Sequence, residues 1–331
     1  MIAAMIVAMV LQTGAVTTTP LPAPPNAPPP LAVGPDTFLI RDASQAERGP
    51  DGNTTIVRTP LGLLVVDTGR HTWHSDAILA FARAQNRPIA AIVNTHWHLD
   101  HSSGNIRLKA AYPRARVYTT NAIDRALAEG GFLARDAANI AGYLSSPDLS
   151  PVRRDEVRIF ADTMAHSDAL RPDVVLDRSR TMAIAGRQFD VHVTDHAVTD
   201  ADVWLYDRRT HVAIIGDLVT LYAPFFETAC PREWSQALDE VWATPFTLAI
   251  PGHGPAMTRV QFNTYRAAFN AFMDCVRSNV EPVRCGGVWA DGIAPLAPDP
   301  ALHDAIAGNA VYYVAMLREH GAKSADCQLA S

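Results

Sequence analysis

Residues 94 to 105 read NTHWHLDHSSGN, which packs three imidazoles and a carboxylate, His96, His98, Asp100 and His101, into six positions. Imidazole nitrogen and carboxylate oxygen are the donors that zinc and similar divalent ions take, so the stretch calls for a fold that can hold such donors rigidly. The residues just before it, IAAIVNT (89 to 95), form a continuous apolar run of the kind expected for a strand covered on both faces. Such a strand belongs to a layered α/β protein. A donor cluster just beyond its carboxyl end lies where layered folds place functional loops on rigid supports.

The rest of the chain fits that frame. TFLIR (37 to 41), NTTIVRT (53 to 59) and GLLVVDTG (62 to 69) read as successive strands, and residues 74 to 86 have helical periodicity. A helix over SGNIRLKAAYP, a strand over ARVYTT and a helix from Asn121 continue the alternation. Residues 131 to 175 break it with a mostly helical pattern, predicting an inserted lid. Strands resume at TMAIAG, FDVHVT, DVWLYD and HVAIIGD, and helices near 233 to 243, 258 to 279 and 301 to 319 close the chain.

Three further donors follow strand-like runs: His196 after FDVHV, Asp217 at the end of HVAIIGD, and His253 in the Gly-flanked turn of LAIPGHGPAM. All can converge on one edge of a sheet system. His192 and His211 lie within or at the start of strands and read as structural, while His166 lies in the lid. His74, in GRHTWH, and Tyr222 and Phe225, in LYAPFF, are the substrate-pocket candidates, with a solvated loop and core packing as the competing readings.

Composition bounds the function. A chain of 331 residues, 48% apolar and 19% charged, can bury a large core as one elaborated domain or two small ones. A net charge of -6 and only two lysines, Lys109 and Lys323, leave no basic stripe, so a small-molecule substrate is expected rather than nucleic acid. The apolar run MIAAMIVAMVL predicts an export signal within residues 1 to 19, too short for a stable membrane span, although its start lacks Lys or Arg. Residues 20 to 30, with seven prolines, read as an extended linker, and the folded domain is expected over 31 to 331. Cys230, Cys275, Cys285 and Cys327 include no C-x-x-C pair and suit disulfides, with three pairings open. A periplasmic or secreted location follows if the signal functions; otherwise the protein is cytoplasmic.

The order H-x-H-x-D-H, then His, then Gly-Asp, then a Gly-flanked His, with VVDTG upstream, resembles the metallo-β-lactamase-fold hydrolases, which include glyoxalase II-type thioesterases, lactonases and zinc β-lactamases. The resemblance spans about residues 37 to 260 and implies a four-layer αββα sandwich with two zinc ions at its edge, iron or manganese being alternatives. It assigns His96, His98 and His196 to one ion, Asp100, His101 and His253 to the other, Asp217 to a bridge, and Asp67 to orienting a ligand imidazole. The implied reaction is attack of a hydroxide held between the metals on the carbonyl of a thioester, ester, lactone or amide, with Asp100 holding or relaying the proton. Zinc β-lactamases generally carry Cys or Ser where this chain has Asp217, so β-lactamase activity is an alternative rather than the first expectation. An iron-dependent oxidoreductase and a non-catalytic binding module on the same fold are the readings from other classes.

Overall fold

The structure, a computed structural model, describes residues 28–42 and 47–327; the expected export signal and the linker up to residue 27 lie outside the described residues. One sheet runs in chain order through β1 (Leu31–Gly34), β2 (Thr37–Ile40), β3 (Thr54–Thr59), β4 (Gly62–Val66), β5 (Ile89–Val93), β6 (Arg116–Thr119) and β7 (Val174–Val175). It is antiparallel from β1 to β4, with short turns joining β1 to β2 and β3 to β4, and parallel from β4 to β7, where longer crossovers intervene. The second sheet comprises β8 (Arg180–Ile184), β9 (Arg187–Asp195), β10 (Ala201–Asp207), β11 (Val212–Thr220), β12 (Leu248–His253) and β13 (Met257–Thr258), in spatial order β13-β12-β11-β10-β9-β8.

The helices of the first half are α1 (Thr72–Ala84), α2 (Leu99–Ser102), α3 (Asn105–Ala111), α4 (Ala122–Leu127), α5 (Phe132–Ala138), α6 (Ile140–Ser145) and α7 (Pro151–Ala165). Those of the second are α8 (Pro231–Ala243), α9 (Arg259–Arg277), α10 (Pro282–Ile293) and α11 (Pro300–Glu319).

The two sheets face each other across a core of Leu64, Val66, Val93, Phe189, Val191, Val203, Leu205, Ile214 and Ile250. On the outer face of the first sheet, Ile78 and Leu79 of α1 and Leu108 of α3 pack on Ile56, Val65 and Ile92. On the outer face of the second, Trp234, Phe269, Trp289 and Val314 from α8 to α11 cover Trp204 and Ile215. Each sheet thus buries both faces, which explains why β5 and β11 are almost wholly apolar and buried rather than alternating. This is the expected αββα sandwich. The insertion forms its own small core, with Leu133 and Phe160 against Trp97, Leu99 and Ile123 beside the histidine stretch.

Three elements depart from the sequence reading. Residues 174–175, expected in the lid, form the edge strand β7 on β6. Helix α10 was not legible, because PVRCGGVWADGI opens on Pro and carries two adjacent glycines that read as loop; burial of Cys285, Trp289 and Ile293 overrides that propensity. The sequence also missed β1. All four cysteines pair, Cys275 with Cys285 and Cys230 with Cys327, fastening α9 to α10 and the start of α8 to the chain end. Two disulfides fit an extracellular or periplasmic protein, and among the described residues no helix is long and apolar enough to cross a membrane.

Candidate metal centre

Strand ends deliver the donors to one edge of the sandwich. Asp67 follows β4, His96 and His98 follow β5, the single turn of α2 presents Asp100 and His101, Asp217 lies on β11, and His253 ends β12. Two glycines make the convergence possible. Gly216 has φ +52° and breaks the β11–β12 register, and a Cβ there would stand 2.5 Å from Thr95 Oγ1. At Gly252 a Cβ would stand 1.9 Å from Asp217 Oδ1, so the residue before His253 must be glycine for Asp217 to occupy its place.

The donor atoms meet closely. His101 Nε2 lies 3.1 Å from Asp217 Oδ1, 3.5 Å from Asp100 Oδ2 and 3.3 Å from His253 Nε2. His253 Nε2 lies 3.1 Å from Asp100 Oδ2, and His96 Nε2 lies 3.6 Å from Asp217 Oδ2. Two sets can hold a metal ion: His96, His101 and Asp217, and Asp100, His101 and His253.

Partners behind the rings decide which nitrogen points inward. Thr95 Oγ1 donates to Asp67 Oδ2 at 2.8 Å, so it accepts from His96 Nδ1 at 3.0 Å and leaves Nε2 as the lone-pair nitrogen. Thr228 Oγ1 donates to Val198 O, so it accepts from His98 Nε2 at 2.9 Å and leaves Nδ1 bare. His101 Nδ1 donates to Asp67 Oδ2 at 3.0 Å, turning its Nε2 to the centre. Asp67, at φ +60°, also accepts from Thr95 N and sits beneath the site as expected. His253 has a comparable backing carboxylate in Asp42, 3.8 Å from Nδ1.

Burial holds His96 well below the usual histidine range and lowers His98 to about 4, so both rings are neutral and ready to donate. Burial opposes charge on His101 and His253 too, but Asp217 and Asp100 outweigh it, holding His101 well above the ordinary value and raising His253 to about 10. In turn His101 and His253 hold the Asp100 and Asp217 carboxyls below theirs, against their burial. Asp217 and Asp100 thus favour positive charge at the facing His101 and His253 nitrogens, a charge that a divalent ion would supply. Two atoms test the fit directly: His96 Nε2 and Asp217 Oδ1 are buried and have no hydrogen bond, a costly arrangement that coordination satisfies.

Of the seven residues assigned to metals, His96, Asp100, His101, Asp217 and His253 enter these sets. The structure brings Asp100, His101 and His253 together in one set. His98 and His196 stand outside these two sets: the structure brings His96 together with His101 and Asp217 rather than with the other two. His98 lies beside His96 with ring centroids 4.5 Å apart. His196, at φ +59° after β9, turns its Nδ1 toward Asp200, 4.0 Å away, in a turn whose following amides, Val198 N and Thr199 N, are bound by the Asp202 carboxylate.

A pocket opens beside His98 and Asp100, lined by Trp97, Phe132, Phe160, Phe225, Glu227 and Arg70 among others. Phe225, a pocket candidate from sequence, is there, edge-on to His98 at 5.2 Å. The other two candidates are corrected. His74 is fully buried on α1, its Nε2 2.8 Å from Thr54 Oγ1, beneath the site rather than in the pocket. Tyr222 is 36% exposed and absent from the lining, its carbonyl accepting from Trp289 Nε1. Sequence reasoning missed Thr228, Glu227 and the insertion's contribution of Phe132 and Phe160. Thr95, inside the NTHWH stretch, carried a local signal; the others became neighbours only on folding.

The family model described as the metallo-beta-lactamase superfamily matches residues 48–253. A curated relative, the linear primary-alkylsulfatase of Pseudomonas sp. (strain ATCC 19151), is 26% identical over 218 residues, covering 60% of this chain and 40% of that protein. The chain thus spans well under two thirds of that relative. Among solved structures, a metallo-beta-lactamase family protein from Thermus thermophilus matches with TM-score 0.58 at 17% identity, over 88% of this chain and 95% of that one. A metallo-beta-lactamase from Pontibacter korlensis matches with TM-score 0.53 at 17% identity, over 73% of this chain and 98% of that one. A stereoselective inverting sec-alkylsulfatase from Pseudomonas sp. matches with TM-score 0.55 at 17% identity, over 86% of this chain and 49% of that one. At such identities these structures establish the fold. The family match covers more than half of the sequence and contains every donor of the two sets, and the chain belongs to the metallo-beta-lactamase superfamily.

Proposed function

We propose that the protein hydrolyses a thioester, ester, lactone or amide with the help of two zinc ions. Asp100, His101 and His253 hold one ion, His96 and His98 with His196 supply the other, and Asp217 serves both. The observation that carries this reading is the meeting of His101 Nε2, His253 Nε2, Asp100 and Asp217 within 3.1 to 3.6 Å, beside the unbonded His96 Nε2 and Asp217 Oδ1. Bound divalent ions supply Lewis acidity that polarises the scissile group and makes water reactive near neutral pH. The chain's own residues do the rest. Asp67, Thr95, Thr228 and Asp42 aim the imidazoles. Asp100 belongs both to the centre and to the pocket wall, which places its Oδ2, 3.1 Å from His253 Nε2, to hold a proton between water and leaving group. The aromatic walls exclude solvent from the bound substrate.

Hydrolysis of a sulfate ester is a second reading, favoured by the alkylsulfatase relative. The deciding experiment measures metal content and assays zinc-loaded protein on thioesters, carboxylic esters, lactones, chromogenic β-lactams and alkyl sulfates, with a chelator control. About two zinc equivalents and chelator-sensitive cleavage of a carbonyl substrate are expected. Turnover of alkyl sulfates alone transfers the assignment to the second reading. Bound iron with oxygen uptake and no hydrolysis overturns both.

A further inference from the structure

Glutamate is rarely buried without a partner, yet Glu227 is only 6% exposed and its Oε2 is buried without a hydrogen bond. Among the described residues its Oε1 has only the Tyr312 hydroxyl, at 3.5 Å. Glu227 lines the pocket beside His98 and Asp100, one residue before Thr228, whose hydroxyl fixes His98. Asp136 lines the same pocket. Among the described residues, the nearby cations are committed elsewhere. Arg135 binds Asp326 through two contacts of 2.9 and 2.7 Å, and Arg70, the one Lys or Arg in the lining, has its guanidinium 3.9 Å from Glu156.

The remaining walls are rings. Phe225 stands perpendicular to Phe132 at 6.4 Å, Trp97 lies 5.7 Å from Phe132, and Phe160 completes the lining. Aromatic faces around a buried carboxylate oxygen that lacks a hydrogen bond recognise an organic cation, and neither an anion nor a plain alkyl chain would satisfy that oxygen. Resting on the hydrolase reading above, we propose that this pocket receives an ammonium-bearing part of the substrate, with Glu227 as its counter-charge, so that the enzyme prefers cationic esters. Burial pushes Glu227 up to about 7. A bound cation draws out the charged form, and binding near neutral pH releases a proton.

The test compares two esters of one short acid on zinc-loaded protein: the trimethylammonium-ethyl ester and its uncharged isostere, the 3,3-dimethylbutyl ester. The wild type should favour the cation by about tenfold or more in kcat/KM, a ratio near one being expected for Glu227→Gln. Because the readout is a ratio, a general loss of activity in the variant cancels. Calorimetry with tetramethylammonium chloride needs no turnover: the wild type should bind it with proton release, and the variant at least about fivefold more weakly. Equal or reversed preference in the wild type, an unchanged ratio in the variant, or no tetramethylammonium binding overturns the proposal. Hydrolysis of neither ester with normal tetramethylammonium binding upholds the cation site and removes carboxylic esters from the substrates of the hydrolase reading.

Discussion

Two buried histidine clusters lie close together in this molecule, and they resolve their charge in opposite ways. His71 sits between Asp51 Oδ2 at 2.9 Å and Glu156 Oε1 at 3.0 Å, stacked on Trp73, so both ring nitrogens are bonded. Its acids are satisfied as well: Asp51 accepts from the amides of Arg70 and His71, and Glu156 from Arg48 and Gly49 N. His101 has one nitrogen bonded to Asp67 and the other facing a second imidazole at 3.3 Å. Both histidines are held above the ordinary value by carboxylates that outweigh burial. The difference is closure. A network that saturates both nitrogens is a strut, here tying Glu156 on α7 to residues 48 to 51 and so fixing the insertion that carries Phe160; a network that leaves inward nitrogens facing each other is a receptor for a cation.

The largest effect that tests this contrast is expected at Asp217. Asp217→Ala should lose metal and hydrolysis together, by about 10³-fold in turnover, and unchanged turnover with metal retained would reject the centre. His71→Ala leaves buried acids without their counter-charge and should cost about 3–5 kcal/mol in denaturant unfolding, with metal stoichiometry intact. Its pH dependence has a definite sign. The folded value of His71 is raised above 6.5, so its contribution is full below pH 6.5 and fades as pH rises through the raised value. Melting curves of wild type and variant should converge toward alkaline pH; a gap that widens there would show that His71 is neutral in the folded protein. Asp67→Asn keeps the volume but weakens the support of His101, and competition with a chromogenic chelator should show metal affinity about 10–100-fold lower. Thr228→Val removes the acceptor behind His98 together with the donor to Val198 O. A loss of about 1 kcal/mol in metal affinity is expected, and no loss would mean that His98 takes no part in binding.

The legibility of the fold tracked burial periodicity. Runs such as IAAIVNT and HVAIIGD announced strands covered on both faces, and the long helices of the last third announced themselves by period. Helix α10 was hidden because its Pro and Gly residues spoke locally for a loop while its disulfide and buried Trp289 acted from a distance. In the site, the dense cluster and the Gly-Asp and Gly-His pairs were visible because short-range steric needs fix them: no side chain fits at Gly216 or Gly252. His74, weighed as pocket-lining or as part of a solvated loop, is neither, because the helix starts at Thr72 and buries it.

Residue types and their spacing alone determined the layered architecture and the donor atoms that gather at one sheet edge, since backbone period and ligand chemistry are local properties. Tertiary structure decided which donors meet, which nitrogen each imidazole turns inward, and that Glu227 lines the same pocket as His98, because those outcomes depend on hydroxyls, carboxylates and rings brought together across separations such as the 152 residues between His101 and His253.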